Sequence, residues 1–383
     1  MKGFAEVAIQ IPRSGIREIL ELATSMQDVI HLEIGQPDFD TPPHIVEATC
    51  KYANEGHTKY VPNAGVDALR DAAARYFTRS TGVATEVENI LVTPGAAVSL
   101  TTAFVAILDI GDEVLIPDPG WPNYSMAVSL AHGKPVPYNL RPENQFLPDV
   151  EEMKTLVTPK TKILLICSPS NPTGQVYNKE AMSKLMAFAK EHDLYLLSDE
   201  IYAEIVFDEK HISALACDDD QRSLIINGMS KSFSMTGYRV AFTRAHPDYV
   251  MLGTKLQEAI LACGTGFSQL AAAVGLDSPM DCVYSMRDTY KSRRNVAVEV
   301  LKEYNLHRYT PGGAFYLLVE IGSTGMDSHA FAMELLQNEK VAVAPGSTFG
   351  TMGNEYIRIS FATPETQLRE GLHRLCRFIR SKN

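Results

Sequence analysis

The sequence predicts an α/β protein whose main sheet is largely parallel, followed by a smaller α+β unit. Near-continuous apolar runs at 162–167 and 195–198 lack polar alternation, so helices should cover both faces of their sheet. A helical stretch at 179–191 separates these runs, and strand–helix–strand repetition is typical of parallel sheets. After residue 282 the pattern changes to a long charged helix, short strand candidates and a final helix, which indicates the second unit.

Short apolar runs give the strands in chain order. The predicted strands are 30–34, 89–93, 113–117, 162–167, 195–198, 224–226, 314–320, 341–344 and 356–361. Helices are expected at 44–54, with Thr41 as its N-cap, around 69–70, at 98–108, at 179–191, through 287–294 and from 364.

Five residues suited to holding a phosphate-bearing ring follow five of these strands. They are Gly95, Trp121, Asn171, Asp199 and Lys231. Each alone has an ordinary interpretation, such as a tight turn, a core aromatic or a surface lysine. In parallel sheets, however, ligands bind beyond the carboxyl ends of the strands. The coincidence therefore predicts a ligand site at this edge.

The stretch from Ser230 to Arg239 predicts which ligand binds there. A lysine in a partly apolar site loses its proton more easily, and a neutral amine such as that of Lys231 can form a Schiff base with an aldehyde. Arg239 offers a fork of donors that suits a phosphate, and Ser230 adds a hydroxyl. The Gly95-Ala96-Ala97 turn opens a helix, whose first amides favour anions. Aldehyde plus phosphate describes pyridoxal phosphate (PLP).

The remaining strand-end residues match the other needs of PLP. Its pyridine nitrogen must stay protonated, which a carboxylate such as Asp199 ensures. Asn171 and Tyr202 can donate to the phenolic oxygen of the ring. Trp121, the only tryptophan, can lie flat on the ring face.

Composition excludes several other classes of protein. The net charge is −11 and there is no basic run, which disfavours nucleic acid and anionic membranes. The N-terminus does not resemble a secretory signal, and no apolar stretch is long enough to span a membrane. Six scattered cysteines without a Cys-x-x-Cys motif predict neither a metal site nor a disulfide framework. A cytoplasmic protein is expected.

Taken together, the motifs resemble the class I/II (aspartate aminotransferase-like) PLP-dependent aminotransferases of fold type I. They occur in family order over nearly the whole chain: Gly35-Gln36-Pro37-Asp38-Phe39, Tyr60 with Gly65, Asn171-Pro172-Thr173-Gly174, Ser198-Asp199-Glu200-Ile201-Tyr202, Ser230-Lys231 with Thr236-Gly237-Tyr238-Arg239, and Arg358-Ile359-Ser360.

The resemblance implies a seven-stranded, mostly parallel sheet sandwiched by helices in a large domain, 48–282, and a small domain from both chain ends, 1–47 and 283–383. Lys231 would be the Schiff-base lysine and proton shuttle. Arg358 would clamp the substrate α-carboxylate, with Asn171 and the Gly35 backbone close by. Tyr60 would reach the phosphate of the neighbouring subunit, so the active unit would be a homodimer.

Two positions depart from the family pattern. Gly228 stands where some relatives carry a phosphate-binding serine, and Ala97 where some aspartate-recognising relatives carry a basic residue. No other arginine for a distal carboxylate can be identified from the sequence. An alanine, aromatic or other apolar amino donor is therefore expected, with 2-oxoglutarate or pyruvate as acceptor.

Three functions remain in contention. The first is an aminotransferase that moves an amino group from an L-amino acid to a 2-oxo acid through a PLP Schiff base. The second is a β-eliminating C–S lyase, or another enzyme of the same fold that breaks a bond at Cα. The third is a regulator with this fold, but such chains usually carry a DNA-binding module, and no basic helix-turn-helix is evident here.

Overall fold

The computed structural model describes residues 3–382; residues 1, 2 and 383, at the ends of the predicted small domain, lie outside it. Its largest sheet has seven strands and confirms the predicted α/β class. In spatial order they are Ile90–Thr93, Ala241–Arg244, Ser223–Gly228, Tyr195–Asp199, Thr161–Cys167, Glu113–Asp118 and Lys134–Asn139. Only Ala241–Arg244 runs antiparallel to its neighbours.

Two of these strands were not predicted from the sequence. Lys134–Asn139 contains Pro135 and Pro137, and proline is unfavourable within most strands. It lies at the sheet edge, where the missing proline N–H groups cost no ladder hydrogen bond. Ala241–Arg244 is only four residues long, and it lies between the strands Ile90–Thr93 and Ser223–Gly228.

Both faces of the central strands are buried, as their apolar runs predicted. Leu164 and Ile166 pack into one hydrophobic cluster, whereas Ile163 and Leu165 pack into a second cluster on the opposite face. Successive side chains of a strand point to opposite faces, so an uninterrupted apolar run fills both layers. This double burial holds the carboxyl ends of the strands in fixed positions.

Helices cover the sheet and form the chain ends. Their bounds are Glu6–Gln10, Gly15–Thr24, Pro43–Asn54, Asp67–Thr81, Ala96–Ile107, Asn123–Leu130, Val150–Lys154, Lys179–Glu191, Met229–Ser232, Pro247–Leu261, Gly266–Asp277, Asp281–Glu303, Ser328–Glu339 and Glu365–Lys382. Within residues 3–382, none of them combines the length and apolar character of a membrane span.

The predicted cap of the helix Pro43–Asn54 is wrong. Pro42 occupies the N-cap position and offers no side-chain acceptor to the helix. The Thr41 hydroxyl instead donates to the carbonyl oxygen of Ser234 at 2.7 Å. This long-range bond links the loop before the helix to the segment that follows Lys231.

Two small sheets bring the chain ends together. Ile30–His31 pairs in parallel with Val341–Ala342. Tyr356–Ser360 lies between Tyr316–Glu320 and Ala344–Pro345 in an antiparallel sheet. The predicted strand 341–344 is therefore two short strands in different sheets, and the predicted strand 30–34 is shorter than expected.

Candidate active site

A cavity of about 710 Å³ contains most of the residues that the sequence singled out. Of the predicted site residues, those that line it are Gly35, Ala96, Ala97, Trp121, Asn171, Asp199, Tyr202, Ser230, Lys231, Arg239 and Arg358. Gly95 lies behind Arg239, and Tyr60 lies elsewhere. The carboxyl edge of the large sheet and the small antiparallel sheet thus contribute to one site.

Lys231 is the candidate nucleophile of this cavity. It lies in the short helix Met229–Ser232, directly after the strand Ser223–Gly228, and its Nζ donates to the Gly35 carbonyl oxygen at 2.5 Å. Burial, assisted by the positive charges of Arg358 and Arg239, lowers the pKa of Lys231 to about 8. An appreciable fraction of the amine is therefore neutral and able to attack a carbonyl near neutral pH.

Asp199 provides a buried carboxylate in the same cavity. It ends the strand Tyr195–Asp199, accepts from the Tyr124 hydroxyl at 2.8 Å and accepts from the Ile201 amide at 3.2 Å. Burial raises the pKa of Asp199 to about 6, against the effect of these two hydrogen bonds. A cationic N–H placed at this carboxylate would stabilise its charged form.

An anion cradle lies at the N-terminus of the helix Ala96–Ile107. Arg239 donates to the carbonyl oxygens of Thr236, at 2.9 Å, and Pro94, at 3.3 Å. Its guanidinium lies against Gly95, whose φ is +91°, and a Cβ at Gly95 would collide with it. The amides of Ala96 and Ala97, the first two of the helix, have no acceptor within it and lie at the positive end of the helix dipole.

The packing of two neighbouring strands explains why position 228 is a glycine. A Cβ there would lie 2.8 Å from Cα of Ala241, on the adjacent antiparallel strand. A serine cannot occupy this position without moving that strand. The donors available to an anion at this point are therefore Ser230, Arg239 and the first helix amides.

Arg358, on the strand Tyr356–Ser360 of the small antiparallel sheet, lines the same cavity. It is almost fully buried, and its Nη1 donates to Oδ1 of Asn171 at 3.0 Å while Nη2 donates to the Glu33 carbonyl oxygen. Its guanidinium carbon lies 4.4 Å from the ring centroid of Tyr316. Nε is buried and has no acceptor among the described residues. A rigidly held guanidinium with unused donor capacity suits a carboxylate.

Tyr316 connects three of the predicted residues but was not itself predicted. Its hydroxyl lies 2.7 Å from that of Tyr202, and a Cβ on Gly35 would collide with it. Its ring supports Arg358. The sequence placed Tyr316 in a strand, yet nothing in the pattern showed that this strand docks against the large sheet. Tyr124, the partner of Asp199, was also missed; it lies in the first turn of the helix Asn123–Leu130, close after the strand Glu113–Asp118.

The two remaining aromatic candidates occupy different surroundings. Trp121 is half-buried at the cavity wall, with its ring perpendicular to that of Tyr124. Tyr60 is 89% exposed and lines a separate cavity of about 620 Å³, together with Lys59, Cys263 and Thr265. Within one chain, the structure does not bring Tyr60 to Lys231.

The residues present fit PLP. The cavity offers an amine with a lowered pKa, a buried carboxylate, a cradle of anion donors and a half-buried tryptophan. These four features occupy one cavity whose volume, about 710 Å³, is typical of cofactor sites. The spare Nε of Arg358 and the open helix amides are donors that an anionic ligand would satisfy.

Comparison with known proteins identifies the family. The family model described as aminotransferase class I and II matches residues 27–375. The chain is 39% identical to an aspartate aminotransferase of Pyrococcus horikoshii, covering 97% of this chain and 96% of the relative. It is 38% identical to aromatic-amino-acid aminotransferase 2 of Thermococcus litoralis, covering 96% of each. A solved single mutant of the Thermus thermophilus aspartate aminotransferase superposes with a TM-score of 0.94 at 34% identity, over 99% of this chain and 100% of that one.

The chain therefore belongs to the class I and II aminotransferases, and it is a PLP-dependent enzyme of fold type I. The predicted family, fold class, cofactor and enzyme class are confirmed. Of the three candidate functions, the aminotransferase is the one that these relatives support.

Proposed function

We propose that this enzyme transfers an amino group from an L-amino acid to a 2-oxo acid, 2-oxoglutarate or pyruvate, with Lys231 as its Schiff-base lysine. The observation that carries the proposal is the placement of Lys231, whose pKa is lowered to about 8, beside Arg358 in one cavity. When bound, PLP supplies an aldehyde for the amino group and an electron sink for the Cα carbanion.

Three groups of residues hold the cofactor in this proposal. Asp199 keeps a proton on the pyridine nitrogen, since its buried carboxylate gains a cationic partner there. Tyr202 and Asn171 donate to the phenolic oxygen, and Trp121 covers one face of the ring. The phosphate is bound by the cradle: Gly95, Ala96, Ala97, Ser230 and Arg239.

The substrate is bound on the other side of Lys231. Arg358 binds the α-carboxylate, supported by Asn171 and by the backbone of Gly35. Because Lys231 contacts the Gly35 carbonyl, this arrangement holds Cα of the substrate within reach of the lysine amine. The amine of Lys231, with a pKa near the working pH, would take the Cα proton as a general base.

The half-reaction tests this proposal. PLP-loaded protein is mixed with one amino acid at a time while the cofactor absorbance is followed. The expected result is a spectrum that changes with at least one donor and returns when a 2-oxo acid is added. Lys231→Ala should show no such cycle. Pyruvate and ammonia formed from cystathionine without any acceptor would contradict the proposal and favour the lyase.

We also propose that the active unit is a homodimer in which Tyr60 donates to the phosphate bound by the neighbouring subunit. Its 89% exposure and its distance from Lys231 within one chain support this role. Mixed dimers of Tyr60→Phe and Lys231→Ala subunits provide the test. One of their two sites then has both native residues, so activity should recover above that of either homodimer. No recovery in dimers of verified composition would contradict the shared site.

The domain division 48–282 against 1–47 plus 283–383 is likewise proposed. It is supported by the pairing of Ile30–His31 with Val341–Ala342, which joins both chain ends. The helix Asp281–Glu303 begins at the proposed boundary. Hydrogen exchange should show these paired strands opening together, at a rate distinct from that of the large sheet. A single common rate for both sheets would contradict the division.

A cytoplasmic location is proposed as well, supported by six cysteines that are all free thiols. Cell fractionation tests it. Recovery outside the cytoplasm would contradict it.

A further inference from the structure

The cavity carries more positive charge than the proposed roles use. Four cationic side chains line it, Arg17, Lys231, Arg239 and Arg358, against one carboxylate, Asp199. The lysine holds the cofactor, Arg239 serves its phosphate, and Arg358 serves the α-carboxylate. Arg17 has no assigned role.

Arg17 is carried by a helix that forms one side of the cavity. Ile19 and Ala23 of the helix Gly15–Thr24 are fully buried and anchor it to the small unit. Ile16, Arg17 and Leu20 lie along a different side of the same helix and line the cavity. The cavity therefore has, at this helix, an apolar wall with a single cation.

The guanidinium of Arg17 is uncommitted in the described part of the chain. No carboxylate oxygen of residues 3–382 lies within 4.0 Å of it, and it makes no hydrogen bond to them. Arg13, four residues earlier, differs: it forms an ion pair with Glu21 at 3.0 Å. An exposed arginine facing a cavity without a partner is available to an anionic ligand.

We infer that Arg17 binds the distal carboxylate of a dicarboxylic 2-oxo acid, while Ile16 and Leu20 contact the methylene groups between the two carboxylates. This inference rests on the proposed function and chooses between its two acceptors: 2-oxoglutarate is favoured over pyruvate. Two carboxylates are then bound by two arginines on different elements, Arg358 and Arg17. The sequence alone identified no arginine for a distal carboxylate, because only the fold brings this helix to the site.

Binding measurements on the PLP-loaded protein test the inference without turnover. Glutarate carries two carboxylates and pentanoate carries one on a chain of equal length. Arg17→Ala should weaken glutarate binding roughly ten- to hundredfold, as expected for a lost charge-assisted hydrogen bond, and change pentanoate binding by less than about twofold. Arg17→Lys should still bind glutarate more tightly than pentanoate, but by a smaller factor than the wild type does. Arg13→Ala, the matched control, should bind both as the wild type does.

Kinetics should show the same selectivity. In Arg17→Ala, kcat/KM for 2-oxoglutarate should fall by a similar factor, whereas kcat/KM for 2-oxopentanoate should stay within about twofold of wild type. Equal losses for both acids, or no loss for either, would overturn the inference.

The two proposals fail in different ways. If the wild type binds glutarate no better than pentanoate, the role of Arg17 is wrong although transamination stands. If no amino acid is transaminated, the proposed function is wrong, and the glutarate comparison still decides whether Arg17 binds a second carboxylate.

Discussion

The floor and the rim of the active-site cavity are built differently. The floor, defined as Asp199, Tyr202 and Arg358, is almost fully buried, and each side chain has a protein partner at 2.7–3.0 Å. The rim, defined as the helix Gly15–Thr24, presents Arg17, which is exposed and has no partner within residues 3–382.

This difference separates two tasks. Groups that must be aligned for chemistry are locked by burial and hydrogen bonds, because reorganisation during the reaction is costly. Groups that select a substrate can remain solvated until the substrate arrives. Variants in the floor should therefore affect every substrate, and variants in the rim should affect only some.

The largest effect is expected for Lys231→Ala. Removing both the nucleophile and the base should lower transamination more than about 10³-fold with every amino acid. Steady-state assays with a panel of donors measure it, with Lys184→Ala, an exposed lysine, as control. Appreciable activity of Lys231→Ala with any donor would show that Lys231 is neither the nucleophile nor the base.

Asp199→Asn should come next. The amide preserves shape and can still accept from Tyr124, but it cannot pair with a cationic ring nitrogen. We expect kcat to fall on the order of a hundredfold for all donors alike. Asp277→Asn, an exposed ion-pair residue, is the control. A loss confined to some donors would place Asp199 in substrate selection.

The pH dependence of cofactor uptake should report the lowered pKa of Lys231. Only the neutral amine attacks an aldehyde, so the uptake rate should rise about tenfold per pH unit and level off above about 8. Because the charge of Arg358 helps lower this pKa, Arg358→Met should move the profile to higher pH. Stopped-flow absorbance measures the uptake rate of the wild type and of Arg358→Met as a function of pH. A rate that still rises at pH 10 in the wild type would show an ordinary lysine.

A smaller effect is expected for Tyr316→Phe. The change removes the 2.7 Å contact with the Tyr202 hydroxyl but keeps the ring beneath Arg358. Unfolding free energy should fall by about 1 kcal/mol, and activity by less than about tenfold for all donors. Denaturant titration measures the unfolding free energy, and steady-state kinetics measure the activity. An unchanged stability together with unchanged activity would show that this contact is dispensable.

Arg17→Ala should have the smallest effect on stability. An exposed side chain without partners contributes little, so unfolding free energy should change by no more than about 0.5 kcal/mol. Denaturant titration beside Arg13→Ala tests this. A loss above about 2 kcal/mol would mean that Arg17 is structural, and the distinction between floor and rim would not hold.

The sequence predicted most of the residues around Lys231 because one rule places them. Residues that follow parallel strands meet at one edge of the sheet, so Lys231 and Asp199 could be brought together without coordinates. Arg358 was found through the family resemblance alone, since it lies in a different sheet.

What escaped prediction depends on docking between distant segments. Tyr316 reaches Tyr202 only because the small antiparallel sheet packs against the large one. Arg17 had no local signal at all, because an arginine on the solvated side of a helix is ordinary. Thr41 is not the cap because the helix begins one residue later than that position requires, with Pro42 as N-cap, and the Thr41 hydroxyl donates to Ser234, 193 residues away. Tertiary contacts of this kind are not encoded in local patterns.

The most direct test of the central claim is to find which lysine carries the cofactor. PLP-loaded protein is reduced with borohydride, digested and mapped by peptide mass spectrometry. The structure predicts that the adduct lies on Lys231, whose pKa is lowered and whose neighbours fit the cofactor. An adduct on an exposed lysine such as Lys59, with Lys231 unmodified, would contradict the assignment of this cavity as the active site.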